Sequence, residues 1–162
     1  MSEEIKLKSG SRLYLAHSVA IIESVRRWEL HVQGQYNIDL INPMHNNKFE
    51  NYQELKKLKT QKNILKYMQG LDTMTNKMIV EGDLNLLRRC DGLLAVFKTP
   101  TIGTIQEIFA AHFLFNMPVY IIGGEHIVHP WLSYIVEKSG GRKFKYRVEF
   151  ERWLKEQGLK KE

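Results

Sequence analysis

The sequence predicts an α/β domain: a parallel sheet with helices on both faces. Three observations carry this reading. Short apolar runs suited to strands alternate with longer segments whose apolar residues recur every three or four positions. Two of those runs, 92–97 (GLLAVF) and 118–122 (PVYII), are almost wholly apolar, as strands buried on both faces require. No internal repeat, low-complexity tract or linker divides the 162 residues, a length that suits one domain with one core.

In chain order, residues 12–16 (RLYLA) read as a first strand, with His17 and Ser18 as the loop that follows. Residues 20–32 read as a helix, with Ile21, Val25, Trp28 and Val32 on one face and Gly34 as its stop. Residues 36–41 (YNIDLI) form a second strand, ended by Asn42-Pro43. Residues 44–70 are polar and Lys-rich and read as an insertion covering a site or an interface. Within it, 52–68 forms an amphipathic helix through Leu55, Leu58, Leu65 and Met68. A helix over 75–89 precedes the central strand 92–97. A loop at 98–103 then leads into a helix over 104–115. After the strand at 118–122, residues 129–138 are helical, 144–147 form a last short strand, and 149–157 a final helix. In such sheets ligands bind outside the carboxyl ends of the strands. The relevant loops are 17–18, 43–45, 99–103 and 123–126.

Bulk properties narrow the function. Hydrophobic residues at 43% and charged residues at 26% belong to a folded globular chain and exclude wholesale disorder. No apolar run approaches the roughly 20 residues that span a bilayer. The polar start of the chain lacks the apolar stretch of a signal peptide, so a cytoplasmic protein is expected. The lone Cys90 excludes an intrachain disulfide and offers no zinc cluster. A net charge of +6 favours anionic partners. Much of the excess lies in 138–161, which reads first as a solvated helix face and tail. No recognised nucleic-acid motif accompanies it, so nucleic acid is not the expected partner, nor is a membrane.

Glu107 lies just inside a helix that follows a central strand. Thr104 and Glu107 have the spacing of a capping box. Equally, Glu107 is a carboxylate at the mouth of the sheet, available as a nucleophile. Asp83 falls within a helical stripe of Ile79, Leu86 and Cys90. There it either reaches water at the stripe's edge or is a buried acid with a raised pKa, suited to holding or giving a proton. Together the two carboxylates meet the minimum for glycosyl transfer: one attacks or stabilises the sugar's anomeric carbon, and another group protonates the departing base. Tyr14, late in the first strand, also suits a simple core position. His17 and Ser18 at that strand's end stand where small polar groups and backbone amides meet phosphate, and Thr101 and Gly103 lie in the loop at 99–103, one of those at the ligand-binding edge, as substrate-binding candidates. His126 and His129 have metal-ligand spacing but lack companions, so no metal is expected. Trp28, Trp131 and Trp153 read as packing. Phosphate-loop, dinucleotide and serine-elbow motifs are absent.

The ordered set LYLA (13–16), GDLN (82–85), CDGLLAV (90–96), GTIQEI (103–108) and MPV (117–119) resembles the nucleoside 2-deoxyribosyltransferase family, which includes the 2′-deoxynucleoside 5′-phosphate N-hydrolases. The resemblance covers most of the chain outside about 46–74. It implies a flavodoxin-like Rossmannoid fold that forms homodimers or higher oligomers, with active sites completed by a neighbouring subunit. Glu107 falls on the family nucleophile that attacks C1′, Tyr14 on the tyrosine that orients it, and Asp83 on the carboxylate that handles the base and its proton. The transferases usually carry an aspartate six residues before the nucleophile; here that position is Thr101, closer to the serine of the monophosphate hydrolases. Ser18 matches a serine of their phosphate-binding loop, although the Arg-Gly-Gly that follows there is replaced by Val19-Ala20-Ile21. Ser133, in LSYI (132–135), resembles a serine that a neighbouring subunit gives to the phosphate. The transferases' aromatic-rich end with its terminal carboxylate has no counterpart in Lys160-Lys161-Glu162. The expected function is therefore cleavage or transfer at the N-glycosidic bond of a (deoxy)nucleoside or its 5′-monophosphate, without a cofactor, leaning to a monophosphate N-glycosidase. A base-exchanging transferase and a non-catalytic nucleotide-binding module are the alternatives.

Overall fold

The computed structural model describes residues 3–47 and 51–162. Strand β1 (Ser11–His17) leads through a 3-10 turn (Val19–Ile21) into α1 (Ile22–Gln35) and then β2 (Ile38–Ile41). Three helices follow before a longer one: α2 (Pro43–Asn46), α3 (Tyr52–Leu55), α4 (Gln61–Gln69) and α5 (Thr73–Arg88). Then come β3 (Gly92–Val96), α6 (Ile102–Phe113), β4 (Val119–Ile122), a 3-10 segment (Gly124–Val128), α7 (Pro130–Ser139), β5 (Arg142–Phe144) and α8 (Arg147–Glu156). The five strands pair in parallel throughout, in the order β2-β1-β3-β4-β5. This is the flavodoxin-like order, whose reversal point lies between β1 and β3.

Side-chain alternation along the strands divides the core in two. Leu13 and Leu15 of β1, with Leu94 and Val96 of β3, pack against α1 and α8 through Val25, Trp28, Phe150 and Trp153. Tyr14 and Ala16, with Leu93 and Ala95, pack against α5, α6 and α7 through Leu87, Ile108 and Leu132. A smaller cluster of Ile22, Met44 and Leu55 seats α2 and α3 against the start of α1. Helix ends follow local chemistry. The Asn42 side chain caps α2 ahead of Pro43, Asp72 caps α5 by accepting from the Thr75 backbone N–H at 2.6 Å, and Gly140, at φ 75°, closes α7 in the left-handed conformation.

The structure departs from the sequence reading at several elements. The helix expected over 52–68 is two helices, because Thr60 caps a new one by accepting from Asn63 N–H. Its inward residues are Ile64 and Tyr67, while Leu65 and Met68 point outward. Residues 48–50 of the expected insertion lie outside the described residues. Helix α1 runs past Gly34 to Gln35. The last strand is 142–144 rather than 144–147, since register with Tyr120–Ile122 sets it and Arg147 already begins α8. Helix α6 starts at Ile102, two residues before the expected start. Trp28 and Trp153 are core, but Trp131 is exposed.

Candidate active site

Alternation places Tyr14 on the α5–α7 side of β1, fully buried. Helix α6 leaves the carboxyl end of β3 and packs back over β1 and β3. That path brings the second turn of α6 over β1, and the Tyr14 hydroxyl donates a 2.6 Å hydrogen bond to Glu107 Oε1. The bond sets the direction of the carboxylate. A capping box would need Thr104 at the helix start. Instead Thr101 is the N-cap, without a side-chain capping bond, and Thr104 is buried inside the helix with its hydroxyl bonded to that of Thr101 at 3.1 Å.

Asp83 sits on α5, which packs against α6 on the same face of the sheet. Burial raises its pKa to about 6, against the opposing effect of a 2.8 Å hydrogen bond donated by Asn47 Nδ2. The same amide group also donates to the Ile79 carbonyl at 3.1 Å. This arrangement depends on Gly82: a Cβ there would lie 2.6–2.9 Å from the Asn47 side chain. The sequence reading missed Asn47. Its one trace was a glycine in mid-helix beside the acid, which marks a close approach.

His17 is buried, and its ring nitrogens face the Ser18 carbonyl (3.0 Å) and Asn42 Oδ1 (3.1 Å). The Asn42 amide is oriented by Met44 N–H on its oxygen and by Glu29 Oε2, to which its nitrogen donates at 3.0 Å. Glu29, 1% exposed, is ion-paired with Arg26 at 2.8 Å. Burial lowers the pKa of His17, against the opposing effect of its two facing acceptors, Ser18 and Asn42, and raises that of Glu29. This chain of side chains ties β1, α1 and the 42–44 corner together, so His17 is engaged in holding the loop. Ser18 stands at the N-cap position of the 3-10 turn that follows the strand carrying Tyr14, without a side-chain capping bond. Gly103 lies exposed in the first turn of α6, and a Cβ there would meet only open space. Ser133 hydrogen-bonds elsewhere: its hydroxyl donates to the Ile127 carbonyl (3.3 Å) and accepts from Lys143 Nζ (3.0 Å). The structure thus joins Tyr14 to Glu107 and Asn47 to Asp83, with Thr101 at the head of the same helix as Glu107.

The fold has a solved counterpart. A 2-deoxyribosyltransferase from the psychrotolerant bacterium Bacillus psychrosaccharolyticus, described as a biocatalyst for nucleoside synthesis, is similar with a TM-score of 0.58. The similarity covers 87% of this chain and 90% of that one, at 14% sequence identity. The likeness is one of fold. No protein-family model and no curated protein matches the sequence.

Among the described residues no group of three or more His, Cys, Asp or Glu side chains could hold a metal, and His129 caps α7 by accepting from Trp131 N–H. No helix among them is long and apolar enough to cross a membrane. Cys90 is buried, and that burial pushes its thiol up to about 11, away from nucleophilic use.

Proposed function

We propose that this chain is an enzyme that cleaves or transfers the N-glycosidic bond of a (deoxy)nucleoside or its 5′-monophosphate. The observation that carries the reading is the Tyr14–Glu107 hydrogen bond on the α5–α7 face of the sheet, with the pKa of Asp83 on the neighbouring helix raised to about 6. Glu107 attacks C1′; the C1′–N bond breaks, and its electron pair leaves with the base. Asp83, protonated at or below its pKa, supplies the proton the base needs. Water then attacks C1′ of the glycosyl-enzyme and releases the sugar, or a second base attacks and forms a new nucleoside. Tyr14 is the positioning residue for Glu107.

Within that class we lean to the hydrolase acting on 5′-monophosphates, because Thr101 and Ser18 match positions that carry serines in the monophosphate hydrolases the sequence resembles. Transfer to a second base is supported by the fold likeness to a 2-deoxyribosyltransferase. Exposed apolar residues on α6 (Ile102, Phe109, Phe113) and α7 (Trp131, Tyr134) form a face suited to a second copy of the chain. An assembly through it would let Ser133 of one copy serve its neighbour's site.

The test is chromatographic detection of released base. Each deoxynucleoside and its 5′-monophosphate is offered, with and without a second free base, with Glu107→Ala as control. Release from monophosphates alone supports the hydrolase. A new nucleoside formed only with added base supports the transferase. Release that persists undiminished in Glu107→Ala overturns the mechanism, and binding without product supports a nucleotide-binding module instead.

A further inference from the structure

The carboxyl ends of β3, β4 and β5 open, between the starts of α1 and α8, into a cavity of about 640 Å³. It shares none of its lining with Tyr14, Asp83, Glu107, Asn47, Ser18 or Thr101. Its floor is the apolar end of β3 and β4. Its rim carries three cations, Lys98, Lys145 and Arg147, against one acid, Glu125.

The disposition of the cations is informative. Among the described residues none of the three is in an ion pair. The Arg147 guanidinium is anchored by hydrogen bonds to the Ser24 carbonyl (3.2 Å) and hydroxyl (3.0 Å) and lies 5.4 Å from the Trp28 ring. It is partly buried, and burial lowers its proton affinity. Glu151, the acid that opposes this, is already held by Trp28 Nε1 at 2.7 Å and His31 Nε2 at 3.3 Å. Lys145 lies 5.4 Å from the Tyr146 ring, and the one carboxylate on its backbone, Glu149, accepts from the Lys145 N–H. A guanidinium held in place and two exposed ammonium groups around an apolar floor make a preorganised receptor for a compact anion.

We propose that this cavity binds a small organic phosphate, separate from the carboxylate site. Its dianion sits among Lys98, Lys145 and Arg147, and its organic part covers the apolar floor beside Tyr146. The concavity suits a small molecule better than a nucleic-acid backbone, which tracks open grooves. This inference does not depend on the glycosidic reading.

The test uses the full chain and phenyl phosphate, a phosphate monoester with no nucleoside features. Phenol, inorganic phosphate and a single-stranded oligonucleotide serve as comparisons in calorimetric titration. Saturable binding of phenyl phosphate is expected, with weaker binding of inorganic phosphate and none of phenol. The double variant Lys98→Gln/Lys145→Gln should bind about tenfold or more weakly, as expected on losing charge-assisted hydrogen bonds. Both lysines are exposed, so an unchanged thermal melt is the check that the fold persists. Glu107→Gln should bind as the wild type does. Absence of saturable binding up to about 10 mM would overturn the proposal. So would equal binding by the double variant, loss of binding in Glu107→Gln, or a preference for the oligonucleotide.

Discussion

Replacing Asp83 by asparagine should stabilise the protein at neutral pH while abolishing turnover. Asp83 titrates at about 6 instead of 3.8, chiefly because burial penalises its charged form. Each tenfold change in proton affinity is about 1.4 kcal/mol, so the full penalty on the ionised carboxylate is about 3 kcal/mol. Asp83 is only half-buried, so solvent screens part of that penalty, leaving about 1–3 kcal/mol. The sign follows from linkage. Below the unfolded-state pKa the group is protonated in both states and exacts nothing. As pH rises from there to about 6, the unfolded chain gives up its proton while the folded state still holds one, and stability falls; above about 6 both states are ionised and the loss is complete. Asparagine never ionises, is close to isosteric, and keeps an Oδ1 for the 2.8 Å hydrogen bond from Asn47. Urea unfolding of both proteins at about pH 4, 6 and 8 should show a difference near zero at the lowest pH that grows in favour of the variant. A variant less stable at the highest pH, or a difference independent of pH, would refute the buried-acid account of Asp83.

Further outcomes are expected. Tyr14→Phe removes the 2.6 Å bond to Glu107 and should lower kcat about 10- to 100-fold with little loss of Tm, the effect of a hydrogen bond to a charged group. The pH–rate profile should fall on its alkaline side through about 6 as Asp83 ionises. Gly82→Ala, which displaces Asn47 and its hydrogen bond, should move that limb upward, because the bond favours the ionised form. Glu29→Ala should cost about 1–3 kcal/mol in chemical denaturation, since it leaves the buried Asn42 amide without its acceptor. Gly141→Ala should fail to give a stable fold by thermal melt, because a Cβ there would overlap the Val119 carbonyl.

The sequence by itself determined the layered architecture. Runs such as GLLAV at 92–96 can be stable only when covered on both faces, and α1's stripe of Val25, Trp28 and Val32 declares the side it buries. Glu107 and Asp83 were visible as carboxylates where helical periodicity leads one to expect apolar or capping residues. Tertiary structure alone gave each of them its hydrogen-bond partner. Tyr14 and Glu107 are 93 residues apart and meet only because parallel pairing sets β1 beside β3 and α6 crosses back over both. Asn47 reaches Asp83 across 36 residues only because Gly82 leaves room for it. The start of α6 and the register of β5 were likewise set by neighbours: local propensity acts over a turn or two of chain, whereas β5 is placed by its ladder to β4 and Glu107 by a hydrogen bond from another layer.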